Sequence, residues 1–499
     1  MPSAPLLLAL DQGTTSTRAL LFDAAGEVRA EARAPLQQHY PADGWVEHDA
    51  EEILSGAEGC LREVLASAGV RAADVAALGI TNQRETVVVW ERATGRPIHR
   101  ALVWQDRRTA ARCDALRAAG HEPLVTQRTG LRLDPYFSAT KLAWILDAVP
   151  GARARAEAGE LAAGTVDSWL VARLGEGAPH LTDATNASRT ALFDVHAQRW
   201  DPELLALFDV PAALLPEVRD SASDFGVTRA GLLDAPLRIA GVVGDQQSAA
   251  LGQACLAAGD LKVTFGTGAF ALLHTGAQAP VSQHGLLGTV ASRLAGRVDY
   301  ALEGSVFSAG STVQWLRDEL GLLRDAAQSA ELAARSDLSR NVHLVPAFTG
   351  LGAPHWDARA RGAILGLTRD CTAADLVRAG LESVAFQTGD LLDAMRADGC
   401  PAPRVLRVDG GMAANDWFLQ RLADLLGLPV ERPALTETTA LGAALLAGMQ
   451  VGVFDGPAQA AAIWRLDRRF EPALCDDERA TRRAAWSAAV RRVRSEPTS

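Results

Sequence analysis

The sequence predicts an α/β protein of two large domains that repeat one plan and face each other across a cleft. Three observations predict it. At 499 residues the chain exceeds what one hydrophobic core serves well. A strand-like run, a Gly-Thr turn and a second run open it: residues 6–10, then Asp11-Gln-Gly-Thr-Thr-Ser-Thr-Arg18, then residues 19–22. The same wording returns in the second half as residues 261–265, Gly266-Thr-Gly268 and residues 269–273. Alternating strands and helices follow each copy, which is the pattern of helices laid on sheets.

The elements follow in order. After the first two strands comes a turn at Asp23-Ala-Ala-Gly-Glu27, then a third strand, then a polar extended stretch from Gln37 to Trp45. Asp49 starts a helix as its N-cap, with Glu52 at the capping-box position. Residues 75–81 form an apolar strand that ends in Asn82-Gln-Arg-Glu85, and strands at 86–91 and 98–103 flank a turn at Ala93-Thr-Gly-Arg96. Helices and short strands then alternate to about residue 240, punctuated by Pro135 and Pro150-Gly151. A buried-type strand at 239–243 runs into Gly244-Asp245 and a helix of small residues. The boundary falls there, giving domains 1–250 and 251–499.

In the second half a helix starts near Ser311 and closes at Gly321. A long helix over 372–396 carries Leu376, Val384, Leu391 and Met395 at helical spacing. A strand at 405–408 enters Asp409-Gly-Gly411. The next helix is capped by Asn415, shows Phe418, Leu422 and Leu425 on one face, and stops at Gly427 before Pro429. Another runs from Thr438 or Thr439 to Gly448, and the tail from Asp476 is helical.

Composition excludes several classes. A net charge of -11 disfavours nucleic acid as a partner, because phosphate backbones need concentrated Lys and Arg. The six cysteines are scattered with no Cys-x-x-Cys, which fits a reducing cytoplasm rather than zinc or a disulfide framework. The opening apolar run is too short for a signal peptide, and no stretch has the length of a membrane span. Only Lys141 and Lys262 are lysines among 49 basic residues: either codon bias in a GC-rich genome has replaced the rest, or these two stand where a compact ammonium is wanted rather than a guanidinium fork.

No P-loop, no Gly-x-Gly-x-x-Gly after a strand and no His-Arg-Asp is present. The Gly-Thr turns instead expose backbone N–H groups and hydroxyls, which suit phosphate. In the first, Asp11 suits Mg²⁺ through water, Gly13 to Ser16 suit phosphate and Arg18 its charge; the other reading is a plain turn. Arg84 and Glu85 stand side by side at a strand end, so they share a ligand only if the strand has already stopped; otherwise they are a surface pair. Asp245, at a strand terminus beside a glycine, is either a base for a substrate hydroxyl or a helix N-cap. Asp409-Gly-Gly411 is either a close approach for a flat ligand or an ordinary strand-to-helix turn. By themselves Trp104, Tyr136 and Phe270 read as core or rim.

Together these segments resemble the FGGY carbohydrate kinases of the actin, hexokinase and heat-shock ATPase superfamily. The matching text includes Ala9-Leu-Asp-Gln-Gly-Thr-Thr-Ser16, Gly79-Ile-Thr-Asn-Gln-Arg-Glu-Thr86, Asp134-Pro-Tyr-Phe-Ser138, residues 182–189, Gly244-Asp-Gln-Gln247, Phe265-Gly-Thr-Gly268 and Arg407-Val-Asp-Gly-Gly411. The match runs in order along nearly the whole chain. Its Asn-Gln-Arg-Glu and Asp-Pro-Tyr-Phe segments resemble the glycerol-specific branch.

The resemblance implies two actin-like (ribonuclease H-like) ATPase domains and ATP-dependent phosphorylation of glycerol to sn-glycerol 3-phosphate, in glycerol uptake and catabolism. It implies that Arg84, Glu85, Tyr136, Asp245 and Gln246 contact glycerol hydroxyls while Trp104 and Phe270 pack on its carbon edge. Thr14, Thr15, Ser16 and Arg18 would meet the phosphates, and Thr267, Gly310, Gln314, Gly411 and Asn415 would line the ADP side. Asp11 takes the Mg²⁺ position and Asp245 that of general base. A cytoplasmic homodimer or homotetramer is implied as well. Two other readings stand beside it: another FGGY sugar or polyol kinase, and a non-enzymatic, nucleotide-switched scaffold. Some features depart from the family: His355 stands where a tyrosine is common, and the activating histidine of some members is missing from residues 228–238. Well-studied bacterial members carry a glycine-rich basic loop for fructose 1,6-bisphosphate before the Gly-Asp-Gln-Gln strand; here residues 228–238 offer only Arg238 for that purpose.

Overall fold

The computed structural model describes residues 5–495. Its first sheet is built from β1 (Leu6–Gln12), β2 (Ser16–Asp23), β3 (Val28–Pro35), β4 (Val75–Asn82) and β5 (Ile239–Gly244) in the order β5-β4-β1-β2-β3. β1 and β2 form a hairpin that sets Asp11 opposite Arg18, and β4 and β5 run parallel to β1. The turn at 23–27 forms as expected: the Asp23 carboxylate accepts from the backbone N–H groups of Ala25 and Glu27.

The second sheet holds β6 (Leu261–Phe265), β7 (Ala269–Gly276), β8 (Leu287–Leu294), β9 (Arg297–Val306), β10 (Leu406–Asp409), β11 (Val430–Pro433) and β12 (Leu466–Phe470), ordered β8-β9-β7-β6-β10-β11-β12. Its inner five, β9-β7-β6-β10-β11, reproduce the first sheet's order and strand directions. The duplication expected from the two Gly-Thr turns is therefore a duplication of topology.

Six helices position the site: α1 (Ala50–Ala68), α2 (Asp245–Gly252), α3 (Gly310–Asp318), α4 (Ala373–Ala397), α5 (Asp416–Leu426) and α6 (Thr438–Gln450). Asp49 caps α1 by accepting from the Glu51 N–H at 2.9 Å. The expected capping box is absent there, because Glu52 turns outward and accepts from the Gln37 N–H of the overlying loop at 3.0 Å. A reciprocal box forms instead at the start of α4, between Thr372 and Asp375. The expected strand over 98–103 shortens to Ala101–Leu102; Pro97, without an N–H, leaves only an isolated bridge to Trp90.

Alternation along β1 and β2 explains how the halves join. Leu8, Leu10, Ala19 and Leu21 point to one face, where they pack with α1 and with the helix Val166–Leu174. Leu7, Ala9, Leu20 and Phe22 point to the other, where they meet Ala440, Leu441, Ala443 and Ala444 of α6. A helix from the second half of the chain thus covers the first sheet. It also crosses α2, and the Ser248 hydroxyl donates to the Thr439 carbonyl at 2.6 Å. The second sheet packs its core against α4 and α5.

Glycines permit the crossing. A Cβ at Gly442 would run into the Ser248 carbonyl, and one at Gly79 into the Ala443 carbonyl. Backbone cannot swing aside as a side chain can. Gly442→Ala is therefore expected to destabilise the protein by about 1–3 kcal/mol and to lower turnover, since α2 carries Asp245. Thermal melts and an ADP-release assay check both effects together.

Among the described residues all six cysteines are free, and no helix is long and apolar enough to cross a membrane.

Candidate active site

The β1–β2 turn closes by a bond from the Gly13 N–H to the Ser16 carbonyl at 3.0 Å, leaving Thr15 exposed at its tip. Thr14 is tied in from two sides. Its hydroxyl accepts from the Trp104 indole N–H at 2.9 Å, and its carbonyl accepts from Gln38 at 2.7 Å. Arg18 donates to the Asp11 carboxylate at 2.5 Å and also to Glu437, which lies just before α6. The expected phosphate and metal groups are thus together, with Glu437 as a partner that sequence reasoning missed.

A second group of residues forms a chain of alternating charges. β4 stops at Asn82, so Arg84 and Glu85 lie beyond the strand and can point into one space, the condition their spacing imposed. Glu85 adopts φ +62°, a left-handed conformation rare for a residue with a side chain. It is held there by the Ser138 hydroxyl on its carbonyl at 3.0 Å and by Arg189 on its carboxylate at 2.6 Å. Arg189 reaches Glu303 at 2.8 Å, Glu303 reaches Arg84 at 2.6 Å, and Arg84 reaches Asp245 at 3.1 Å. Glu303 lies on β9, so the second half of the chain supplies the link that joins the others.

Burial sets the protonation states. Burial alone would raise the Glu303 carboxyl, but the guanidiniums of Arg189 and Arg84 outweigh it and hold the pKa at about 2. Burial pushes Asp245 up to about 6, with Arg84 opposing and Glu85 assisting. The Tyr136 phenol is raised by burial and by Glu85, so it stays neutral. Asp245 Oδ1 accepts from the Gln246 N–H at 2.7 Å and faces Arg84; among the described residues Oδ2 accepts no hydrogen bond. Such a carboxylate is equipped to take a proton near neutral pH.

An aromatic wall stands against this chain of charges, with the Arg189 guanidinium 5.6 Å from the centre of the Tyr136 ring. The Trp104 ring lies 5.6 Å from that of Tyr136 and 6.1 Å from that of Phe270, centroid to centroid. Phe270 comes from β7, so the wall too draws on both halves. Lys141 holds the Asp-Pro-Tyr-Phe segment by donating to the carbonyls of Pro135, Tyr136 and Phe137. Lys262 is buried beside Gln246. Both lysines of the chain therefore sit at the site.

On the opposite side the Gly266-Thr-Gly268 turn is stapled to the start of α3. The Thr267 carbonyl accepts from the N–H groups of Ala309 and Ser311, and the Gly310 N–H donates to Gly266. Thr267 and Gln314 are exposed, and a Cβ at Gly411 would meet nothing. Asn415 caps α5, accepting from the Phe418 N–H at 2.9 Å and donating to Ser329 at 3.1 Å. Asp409 is buried; Gln253 and Thr438 donate to its Oδ2, and Oδ1 has no partner among the described residues.

Models of the FGGY family of carbohydrate kinases match this chain in both halves, the N-terminal domain over residues 6–252 and the C-terminal domain over 261–451. The chain belongs to the FGGY family of carbohydrate kinases. It is 58% identical over 495 residues, 99% of each chain, to the glycerol kinase of Rhodospirillum centenum. It is 60% identical over 489 residues, 98% of each, to that of Xanthobacter autotrophicus. The crystal structure of Plasmodium falciparum glycerol kinase with ADP superposes with a TM-score of 0.91 at 33% identity, over 99% of both chains.

For an FGGY kinase the missed residues have a common trait. Glu303 is a lone acid in an otherwise apolar stretch of β9, and a buried charge demands a partner. Arg189 lies within the family-like text at 182–189 but carried no assigned role. Glu303 could have been found by asking which buried strand charge lacks a local counter-ion; Arg189 sits in the turn after the helix Ala184–Ala187, where no such signal marks it.

Proposed function

We propose that this FGGY kinase transfers the γ-phosphoryl group of ATP to a terminal hydroxyl of glycerol, giving sn-glycerol 3-phosphate. The observation that carries this reading is the convergence of the linked Arg84, Glu85 and Asp245 side chains with the Trp104, Tyr136 and Phe270 rings. A three-carbon triol has little apolar area, so it must be recognised through its hydroxyls. Near-full-length identity of 58–60% to proteins named glycerol kinase supports the same substrate.

In this reading Arg84, Glu85, Tyr136 and Gln246 orient the hydroxyls, and the wall covers the carbon edge. Asp245 accepts the proton of the attacking hydroxyl through Oδ2. The backbone and hydroxyls of Thr14, Thr15 and Ser16 cradle the transferring phosphate, and Arg18 turns from Asp11 and Glu437 toward its charge. Thr267, Gly310, Gln314, Gly411 and Asn415 take the nucleotide. The donor set fits a magnesium ion. Asp11 offers one carboxylate, and no cluster of three or more His, Cys, Asp or Glu lies among the described residues. That suits an ion that keeps most of its waters. Asp11 would hold it, and bound there it neutralises phosphate charge. The division at residue 250, into an acceptor-and-phosphate half and a nucleotide half, belongs to this reading. So does a cytoplasmic homodimer or homotetramer serving glycerol uptake and catabolism.

The pH dependence follows from Asp245. Below a pKa of about 6 its carboxyl is protonated and cannot accept a proton. We therefore expect kcat/KM for glycerol to be level above that value and to fall about tenfold per pH unit below it. A profile level down to the ordinary aspartate range contradicts this assignment.

Product identity tests the function. The reaction mixture is supplied with NAD and a dehydrogenase specific for sn-glycerol 3-phosphate. NADH formation that needs enzyme, ATP and glycerol together is the expected result. ADP release without NADH would overturn the proposed product.

A further inference from the structure

We propose that Lys262 is a positioning residue for acceptor binding that fixes which edge of the Gln246 amide faces the cleft. The proposal rests on the glycerol reading and deepens it. Lys262 lies on β6 and is fully buried. Its Nζ donates to Gln246 Oε1 at 2.5 Å and to the Thr264 hydroxyl at 2.9 Å. A lysine ammonium on this edge can pair only with the amide oxygen, because it carries donors and no acceptor.

The amide is planar, with its oxygen and nitrogen on opposite sides. Committing Oε1 to Lys262 therefore turns Nε2 away from β6. Among the described residues that Nε2 donates to no acceptor, although Gln246 is only 7% exposed. The base of the residue is pinned as well, through its N–H to Asp245 Oδ1 at 2.7 Å. The result is a free, preset pair of N–H donors beside the proton-accepting carboxylate. It matches an oxygen lone pair of the acceptor, whether hydroxyl or carbonyl. Without Lys262 the amide could present either edge, and half of its orientations would offer an acceptor to a site already rich in carboxylates.

This also accounts for a lysine at a position where the chain otherwise uses arginine. A guanidinium fork needs a planar, bidentate partner, and a single amide oxygen beside one hydroxyl offers a point-like target.

The test is a double-mutant cycle read as glycerol KM and kcat by ADP release, with thermal melts for folding. Lys262→Met is expected to raise glycerol KM about tenfold, with a smaller change in kcat and in the KM for ATP. Gln246→Ala should do the same, and the double variant should match Gln246→Ala alone, because Lys262 acts through that amide. An unchanged KM in Lys262→Met, or additive effects in the double variant, overturns the proposal. Should Lys262→Met fail to fold, Gln246→Glu decides. It keeps the bond from Lys262 but replaces the outward donor with an acceptor, so glycerol KM should rise at least as far. A parent-like KM there overturns the proposal too. Failure of the parent enzyme to phosphorylate glycerol would instead overturn the function proposed above.

Discussion

Asp245→Asn is expected to lower turnover by about 10²–10⁴-fold while leaving glycerol affinity close to that of the parent. The substitution keeps the shape of the side chain and an oxygen that can accept the Gln246 N–H now found at 2.7 Å. What it removes is the ability to take a proton at Oδ2. Steady-state kcat by ADP release, with glycerol binding by calorimetry, separates the two effects. Near-parental kcat would remove Asp245 from the role of base. A collapse of binding with proportionate loss of kcat would mean that it holds the acceptor rather than activates it.

The second large effect is expected at Glu303. Glu303→Ala should destabilise the protein by about 3–5 kcal/mol, because two buried guanidiniums would lose the carboxylate they share. Arg84 is 3% exposed and Arg189 fully buried, so neither can turn to water for compensation. Activity should fall with stability, since Arg84 would be drawn further toward Asp245 and Glu85 would keep Arg189 without its second anchor. Urea denaturation checks the stability change. Removing one of the stranded charges as well, by Arg189→Met in the same background, should recover part of it. An unchanged midpoint for Glu303→Ala would show that the network contributes little to holding the halves together.

Much of the fold was legible because local chemistry and global plan agree. The two hairpins declare themselves through apolar runs broken by Gly-Thr turns, and Asn415 and Gly427 bracket α5 as caps should. The helix α6 was readable as a helix but not as a cover for the first sheet. Its packing partners, Leu7, Ala9, Leu20 and Phe22, lie more than 400 residues away in sequence, and nothing local marks them. The capping box misassigned to Glu52 shows the opposite failure: the spacing was right, but a loop N–H from Gln37 competed for the carboxylate.

The candidate site divides in the same way. Asp11, Arg84, Glu85 and Asp245 stand at strand ends, where an acid or base is conspicuous. Their arrangement as one alternating chain depends on Glu303 and Arg189, more than 100 residues from either Arg84 or Glu85. Glu437 likewise meets Arg18 only through the crossing of α6 over the first sheet. Charge pairing across such distances is a property of topology, and the sequence offers only the hint that a lone buried charge must have a partner somewhere.

A site of linked charges beside an aromatic wall suits a three-carbon polyol. The most direct test of this fit is kcat/KM by ADP release for glycerol, dihydroxyacetone, xylulose and gluconate, measured side by side with saturating MgATP. Glycerol should give the highest value, with xylulose and gluconate lower by at least about 100-fold, because longer chains must displace the Trp104, Tyr136 and Phe270 wall. A higher kcat/KM for xylulose or gluconate than for glycerol would show that the site is built for a longer polyol or sugar acid.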